Sequence, residues 1–559
     1  MNMRKYYHLL ALRRSKGLLI SNSKWVHQGS PIESHDFRYH PKTPSPPTPS
    51  PPSSYSHLYR NTYSQNANAM VSRNLLHATH SNLTANHYHT QLSKLHTSEL
   101  RYHEDADLQD YQVTVKDREV ISAAVTLESK HWLPLSNLDL LLPPIQAGLF
   151  FCYKKKNNTD MSSETVVKTI KSSLAGVLST FYPLAGEIVQ NSQGEPEVVC
   201  NNYGVEFVHA HADIDLKDLD FAHPDESVKG KLVPKINRGV VAIQATELNC
   251  GSIIISGAFH HQVADAYSIN MFLVAWAQYA RLETISSIPS FRPSMLNPRR
   301  PPCYTTAIDN LYIPASSLPP PSSFEEPLLG RMYYIHAESI QQLQHEASTK
   351  ETKISKLLSF TSFVWKLLAH GGDKATDTTS RMGIVVNGRR FLAESDEKNT
   401  SLLENHFGNV LSIPYGMATN DDLKAMPLHE VAEGVHKFVS KATNEEHFRE
   451  LIDWVEMHRP NPAVARIYFG LKKSEGEAVV VSAGQGLPIK DMDFGWGKPD
   501  FGSYHFPWGS RTGYITTMPS AKKNGDWVVY MHLKEKDFNL IDHMAPHVFT
   551  PLTYSHFSS

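Results

Sequence analysis

Cysteine is scarce in this 559-residue chain: Cys152, Cys200, Cys250 and Cys303 stand about fifty residues apart, with no Cys-x-x-Cys pair. Such spacing supports neither a zinc ribbon nor a disulfide framework, and a reducing compartment is the expectation. No run of about 18 apolar residues occurs, so no membrane-spanning helix is expected. A large charge of one sign is also missing, the formal net charge being −2. The first hundred residues hold eleven Lys and Arg against three acids, which leaves 43 basic and 53 acidic residues beyond them. That mildly acidic remainder argues against a nucleic-acid surface. There is no G-x-S-x-G elbow, which argues against a serine acyl-enzyme. The Asp-Phe-Gly at 493–495 has no glycine-rich loop or His-Arg-Asp to accompany it, so a kinase is excluded.

What is present suggests about two domains with appendages. Residues 1–105 are rich in Ser, His, Asn, Thr and Tyr, and 41–54 (PKTPSPPTPSPPSS) favours polyproline conformations. This stretch is expected to be a disordered or targeting-like extension. Its first 26 residues carry Arg4, Lys5, Arg13, Arg14, Lys16 and Lys24 and no acid, the charge pattern of an organellar presequence. A cytoplasmic location is the expectation, with organellar targeting as the alternative.

From Tyr111 strand and helix patterns alternate. Residues 112–126 read as strand, turn, strand, and 148–153 as a buried strand. Ser163 to Tyr182 places Val166, Val167, Ile170, Leu174, Val177 and Phe181 on one helical face, ended by Pro183, which lacks an amide donor. Residues 197–200 and 205–209 are strand-like around a turn. The proline-rich stretch 284–327 is the linker candidate. Beyond it, 331–336 and 382–387 read as strands, 356–370 and 426–442 as helices, and 513–518 with 527–533 as a hairpin around Asn524-Gly525-Asp526. The expected domains are 106–300 and 328–559, joined by a crossover at 301–327.

The most informative segment is His260-His261-Gln262-Val263-Ala264-Asp265. Ser252 to Phe259 before it is β-branched and apolar; Ala266 to Arg281 after it has apolar residues at helical spacing. Side chains at a strand end leave the core while the backbone stays fixed. A neutral histidine there can take a proton near pH 7, its unperturbed pKa being about 6.5. Asp265 can cap the helix or pair with a cation. Adjacent residues in a strand point to opposite faces, so His260 and His261 are not expected to share a metal, and no metal site is expected.

Asp493-Phe494-Gly495-Trp496-Gly497 follows a strand-like run about 230 residues later. HxxxD and DFGWG in this order resemble the plant BAHD acyltransferase family. So do Leu135-Ser136-Asn137-Leu138-Asp139, Tyr182-Pro183-Leu184-Ala185-Gly186 and Phe407-Gly408-Asn409-Val410. The resemblance implies an α/β fold of two chloramphenicol-acetyltransferase-like domains with a channel at their interface. It implies a monomer that binds acyl-CoA as co-substrate and a small hydroxylated acceptor, with no permanently bound cofactor. His261 would be the catalytic base, and Asp265 its structural partner through an arginine; Arg299, Arg300, Arg389 and Arg390 are the candidates. Asp493 to Gly497 would be structural or on the CoA side, with Asp493 available for an ion pair and Trp496 for packing.

Acyl transfer from a thioester to a hydroxyl needs a proton acceptor for the attacking oxygen, donors for the oxyanion and a site away from water. Residues 130–142 and 150–156 look like the family branch that contains coniferyl alcohol acyltransferase, with shikimate/quinate hydroxycinnamoyltransferases as neighbours. Asn387-Gly388-Arg389-Arg390 has Asn where the family usually has Asp, and 391–406 lacks the prolines common in shikimate-type members. A neutral phenylpropanoid alcohol is the expected acceptor. A shikimate/quinate transferase and a non-catalytic scaffold of the same fold are the alternatives.

Overall fold

The computed structural model describes residues 111–557 apart from 156–161, 292–295, 318–325, 373–378, 394–401, 469–474, 507–511 and 523. They fall in one of the chain's two compact units, Val71–Ser559. The other unit, Met1–Met70, and the expected extension 1–105 lie outside the described residues.

The first half supplies β1 (Val113–Ile121), β2 (Gln146–Tyr153), β3 (Val205–Ala212), β4 (Val241–Leu248) and β5 (Ile253–His260). It also supplies helices α1 (Ser163–Leu178) and α2 (Ala266–Ala280). β4 and β5 are almost wholly buried, as their continuous apolar sequences require. The second half supplies β6 (Leu328–Ile335), α3 (Ala337–Ala347), α4 (Lys356–Leu368), β7 (Thr379–Ile384), β8 (Tyr415–Thr419), α5 (Leu428–Ser440) and α6 (Glu445–His458). There follow β9 (Glu475–Ala483), β10 (Phe501–His505), β11 (Gly513–Pro519), β12 (Trp527–Lys534), α7 (Glu535–Met544) and β13 (Thr550–Pro551).

Two mixed sheets result. One runs β1-β3-β4-β5-β2-β10 and the other β8-β7-β9-β11-β12-β6-β13. β10 belongs in sequence to the second half but pairs antiparallel with β2, from Phe501 opposite Cys152 to His505 opposite Gly148. α1 and α2 cover the first sheet; Trp276 of α2 is fully buried and donates its indole N–H to Ser173 of α1 at 2.9 Å. α4 packs its apolar stripe, including Phe360 and Val364, against the second sheet.

Several expectations need correction. Residues 112–126 do not form a strand–turn–strand unit: only Val113–Ile121 is a strand, and it pairs with β3 across the register Val113–Ala212 to Ile121–Val205. The helix from Ser163 stops at Leu178 rather than Tyr182. Tyr182–Ala185 forms a separate 3-10 turn with Pro183 at its start, where the missing amide is tolerated. The linker 284–327 is not featureless. It contains a short helix, Thr306–Asp309, and a strand, Tyr312–Pro314, that pairs with Ala463–Ala465. The expected hairpin exists, β11 pairing antiparallel with β12.

Candidate active site

β5 ends at His260, opposite Gln146 of β2. The next residue, His261, donates its backbone N–H to the Ile145 carbonyl at 2.9 Å. The Gln262 carboxamide donates to the Leu142 carbonyl at 2.9 Å. Val263 N–H closes a turn on the His260 carbonyl at 3.0 Å. The His261 backbone is therefore held by the strand pairing itself and by the segment just before β2. Asp265 follows as the N-cap of α2, its Oδ1 accepting from Ser268 N–H at 2.9 Å.

Asp265 also forms an ion pair, and its arginine is Arg389. Nη1 of Arg389 lies 2.6 Å from Oδ2 and Nη2 3.1 Å from Oδ1, a bidentate fork between two nearly inaccessible side chains. Nη2 further donates to Ser268 Oγ and to the carbonyls of His406 and Gly408. Burial pushes the Asp265 carboxyl upward, but the Arg389 charge and the bonds from Arg389, Ser268 and Val410 outweigh it and hold the group below the ordinary carboxylate range. Arg299 is committed elsewhere, to Asp453 and Glu446. Asn387 accepts from Arg389 N–H at 3.0 Å, so the Asn in place of the family's Asp still orients this arginine.

Two other signatures meet behind His261. Asp139 Oδ2 accepts from Ser136 N–H and Oγ–H, while its Oδ1 accepts from Asn409 N–H at 2.6 Å and Asn409 Nδ2 at 2.9 Å. Asn409 Nδ2 also donates to the His261 carbonyl at 2.9 Å. Burial pushes the Asp139 carboxyl up to about 6, against the bonds from Ser136 and Asn409. Burial likewise lowers the His261 imidazole below its usual value, against its own main chain, Asp265 and Asn409, which favour the charged ring.

His261 and Asp265 line a cavity of about 370 Å³. Its walls come from α2, β2, β10, β11 and the segment after β9, and carry five tyrosines: Tyr267, Tyr312, Tyr468, Tyr504 and Tyr514. Among the described residues no lysine, arginine or glutamate lines it, and its one carboxylate, Asp265, is neutralised by Arg389. Tyr504 Oη donates to Asn270 Oδ1 at 2.9 Å, and Asn270 Nδ2 to the Gly486 carbonyl at 2.9 Å, tying β10 to α2. His260 is not part of this wall.

Asp493 to Gly497 does not line the cavity. The expected ion pair of Asp493 is replaced by a loop-internal arrangement: its Oδ1 accepts from Gly495 N–H at 2.8 Å and Gly497 N–H at 2.9 Å. Arg281, at the end of α2, donates to the Asp493 carbonyl. Gly495 and Gly497 have φ of +113° and +114°, which side chains with a Cβ resist. Phe494 is buried edge-on against Trp276, with ring centroids 5.0 Å apart, and stacks on Trp496 at 5.4 Å. The loop thus grips the far end of the helix that Asp265 caps.

Comparison with known proteins agrees with this architecture. The Transferase family model matches residues 111–548. A hydroxycinnamoyltransferase of Narcissus pseudonarcissus is 27% identical over 416 residues, covering 71% of this chain and 91% of that protein. Putrescine hydroxycinnamoyltransferase 1 of Oryza sativa subsp. japonica is 26% identical over 412 residues, covering 69% of this chain and 88% of its own. The crystal structure of vinorine synthase superposes with a TM-score of 0.59 at 21% identity, over 79% of this chain and 99% of that one. With its two-domain α/β fold, the chain belongs to the Transferase family of plant BAHD acyltransferases.

Proposed function

We propose that this BAHD acyltransferase moves an acyl group from a CoA thioester to the hydroxyl of a neutral phenylpropanoid alcohol, with His261 as general base. Nε2 of His261 accepts the hydroxyl proton as the oxygen attacks the thioester carbonyl. Collapse of the tetrahedral adduct breaks the C–S bond, and the CoA thiolate takes the proton from the imidazolium. Burial keeps the ring neutral near pH 7, the form this step requires. The Asp265–Arg389 pair serves the turn that carries His261 and does not touch substrate.

The observation that carries the acceptor class is the character of the cavity wall. It offers aromatic faces and phenolic hydroxyls, and among the described residues no cation to grip a carboxylate and no free carboxylate to hold an ammonium. A shikimate-like acid and a polyamine are both poorly served by such a wall, whereas an uncharged aromatic alcohol suits it.

The test is CoA thiol release from acetyl-, malonyl-, coumaroyl- and feruloyl-CoA, each against coniferyl alcohol, shikimate and putrescine. Coniferyl alcohol is expected to be the fastest acceptor. His261→Ala is expected to lower turnover by roughly 10²–10⁴-fold. Equal rates in the two proteins would remove His261 from the mechanism. Faster turnover of shikimate or putrescine would overturn the neutral-alcohol reading.

A further inference from the structure

We infer that Asn409, anchored by Asp139, sets the tautomer of His261: Nδ1–H donates to Asn409 Oδ1, which leaves Nε2 unprotonated toward the cavity. This rests on the reading of His261 as the base.

The argument starts from the carboxamide. Its only donors are the two N–H groups on Nδ2, and both are used, one on Asp139 Oδ1 at 2.9 Å and one on the His261 carbonyl at 2.9 Å. Turning the group over would set its oxygen against a carboxylate and a carbonyl, so the two partners fix which side Oδ1 occupies. Asp139 cannot swing away, because the same Oδ1 also holds the Asn409 backbone N–H at 2.6 Å and Oδ2 is held by Ser136.

Two buried atoms are then left with no hydrogen-bond partner among the described residues, Asn409 Oδ1 and His261 Nδ1. One is an acceptor and the other becomes a donor in one of the two neutral tautomers. The carboxamide also acts on the ring as a hydrogen-bonding group that favours its charged form, as an acceptor beside Nδ1 does. A neutral imidazole has a single N–H. On Nε2 it would point at the acceptor oxygen and could take nothing from it. On Nδ1 it meets Asn409 and leaves the lone pair where the hydroxyl proton arrives. During turnover the Nδ1 proton stays in place, while Nε2 receives the hydroxyl proton and passes it to the CoA thiolate. Asp139 and Asn409 are thus positioning residues for the base, reaching it from two signatures 270 residues apart.

The other charged or titratable groups near the ring are Asp265 with Arg389, Asp139 itself, and His406, whose Nε2 lies close to Gly408. All remain in an Asn409→Ser variant, so a change in the pH profile reports the carboxamide.

In that variant the acidic limb of kcat/KM is expected to move about one unit to lower pH, because the group favouring the charged ring is gone. The plateau kcat should fall about tenfold or more, with both KM values held within about twofold. A purely structural role would reduce the active fraction and leave the limb where it is in the wild type, and that result overturns the proposal. A measurement independent of variant folding is the ¹⁵N spectrum of histidine-labelled wild-type protein, with the His261 signals identified by their loss in His261→Ala. An Nδ1–H tautomer supports the inference and an Nε2–H tautomer defeats it. Full activity in His261→Ala would instead defeat the general-base reading, so the two failures are told apart.

Discussion

Arg389 meets Asp265 through both terminal nitrogens, across 124 residues of sequence, with almost no solvent at either side chain. A fork buried this deeply is worth little as net stability, but its breakage leaves an uncompensated charge. Arg389→Ala is therefore expected to destabilise the fold by about 3–5 kcal/mol in urea unfolding. Arg389→Lys should restore only part of this, because one ammonium cannot span both carboxylate oxygens and the carbonyls of His406 and Gly408. Full recovery in the lysine variant would show that charge alone matters.

Stability should fall as pH drops from 6.5 toward 5. Burial lowers His406, His447, His505 and His532 to about 4, so in this range the unfolded chain binds protons that the folded chain refuses. Asp139 and Asp537, raised by burial to about 6 and about 7, act in the opposite sense, since the folded chain holds their protons longer. The histidines outnumber them, giving a net slope of roughly 2–3 kcal/mol per pH unit. Urea midpoints between pH 6.5 and 5 measure it. His505→Leu should flatten the slope by about 1.4 kcal/mol per unit.

Tyr504→Phe removes the hydroxyl that ties β10 to Asn270 while keeping the aromatic wall. The lost bond is worth about 1 kcal/mol. KM for the alcohol is expected to rise about fivefold, with KM for acyl-CoA unchanged. Steady-state kinetics with each substrate varied in turn decides this, and an equal change in both would place Tyr504 outside the acceptor side of the cavity.

Gly495→Ala isolates backbone strain in the DFGWG loop, because an added Cβ meets nothing within 4 Å and only the φ of +113° resists it. A loss of about 1–2 kcal/mol is expected. Specific activity of the folded fraction should be preserved, since the loop does not line the cavity. A large fall in kcat without loss of stability would contradict its structural assignment.

Much of this was legible in the sequence, and the residues show why. The strand–turn–helix around His261 and the hairpin of β11 with β12 rest on local periodicity and turn chemistry, which a short window contains. Arg389 was one of four candidates, because nothing local distinguishes an arginine that will reach Asp265 from one that will reach Asp453. Asp139 and Asn409 stood out only as signature letters; their joint hold on the His261 carbonyl exists only once segments 270 residues apart are adjacent. The five cavity tyrosines had no signal at all, being brought together from separate elements by the two sheets. The missing second strand near 120 misled because alternating polarity suits an edge strand as well as a hairpin, and β3 supplied the partner instead.

The seating of β10 against β2 has a further meaning for anyone who would take this enzyme apart. A cut at the proline-rich crossover would leave the N-terminal piece with an open row of amides and carbonyls along β2, an invitation to self-association. The same cut would strand Phe501–His505 on the other piece without its neighbour. Neither fragment would be self-sufficient, so truncation and chimera boundaries belong outside 111–557, not at the midpoint.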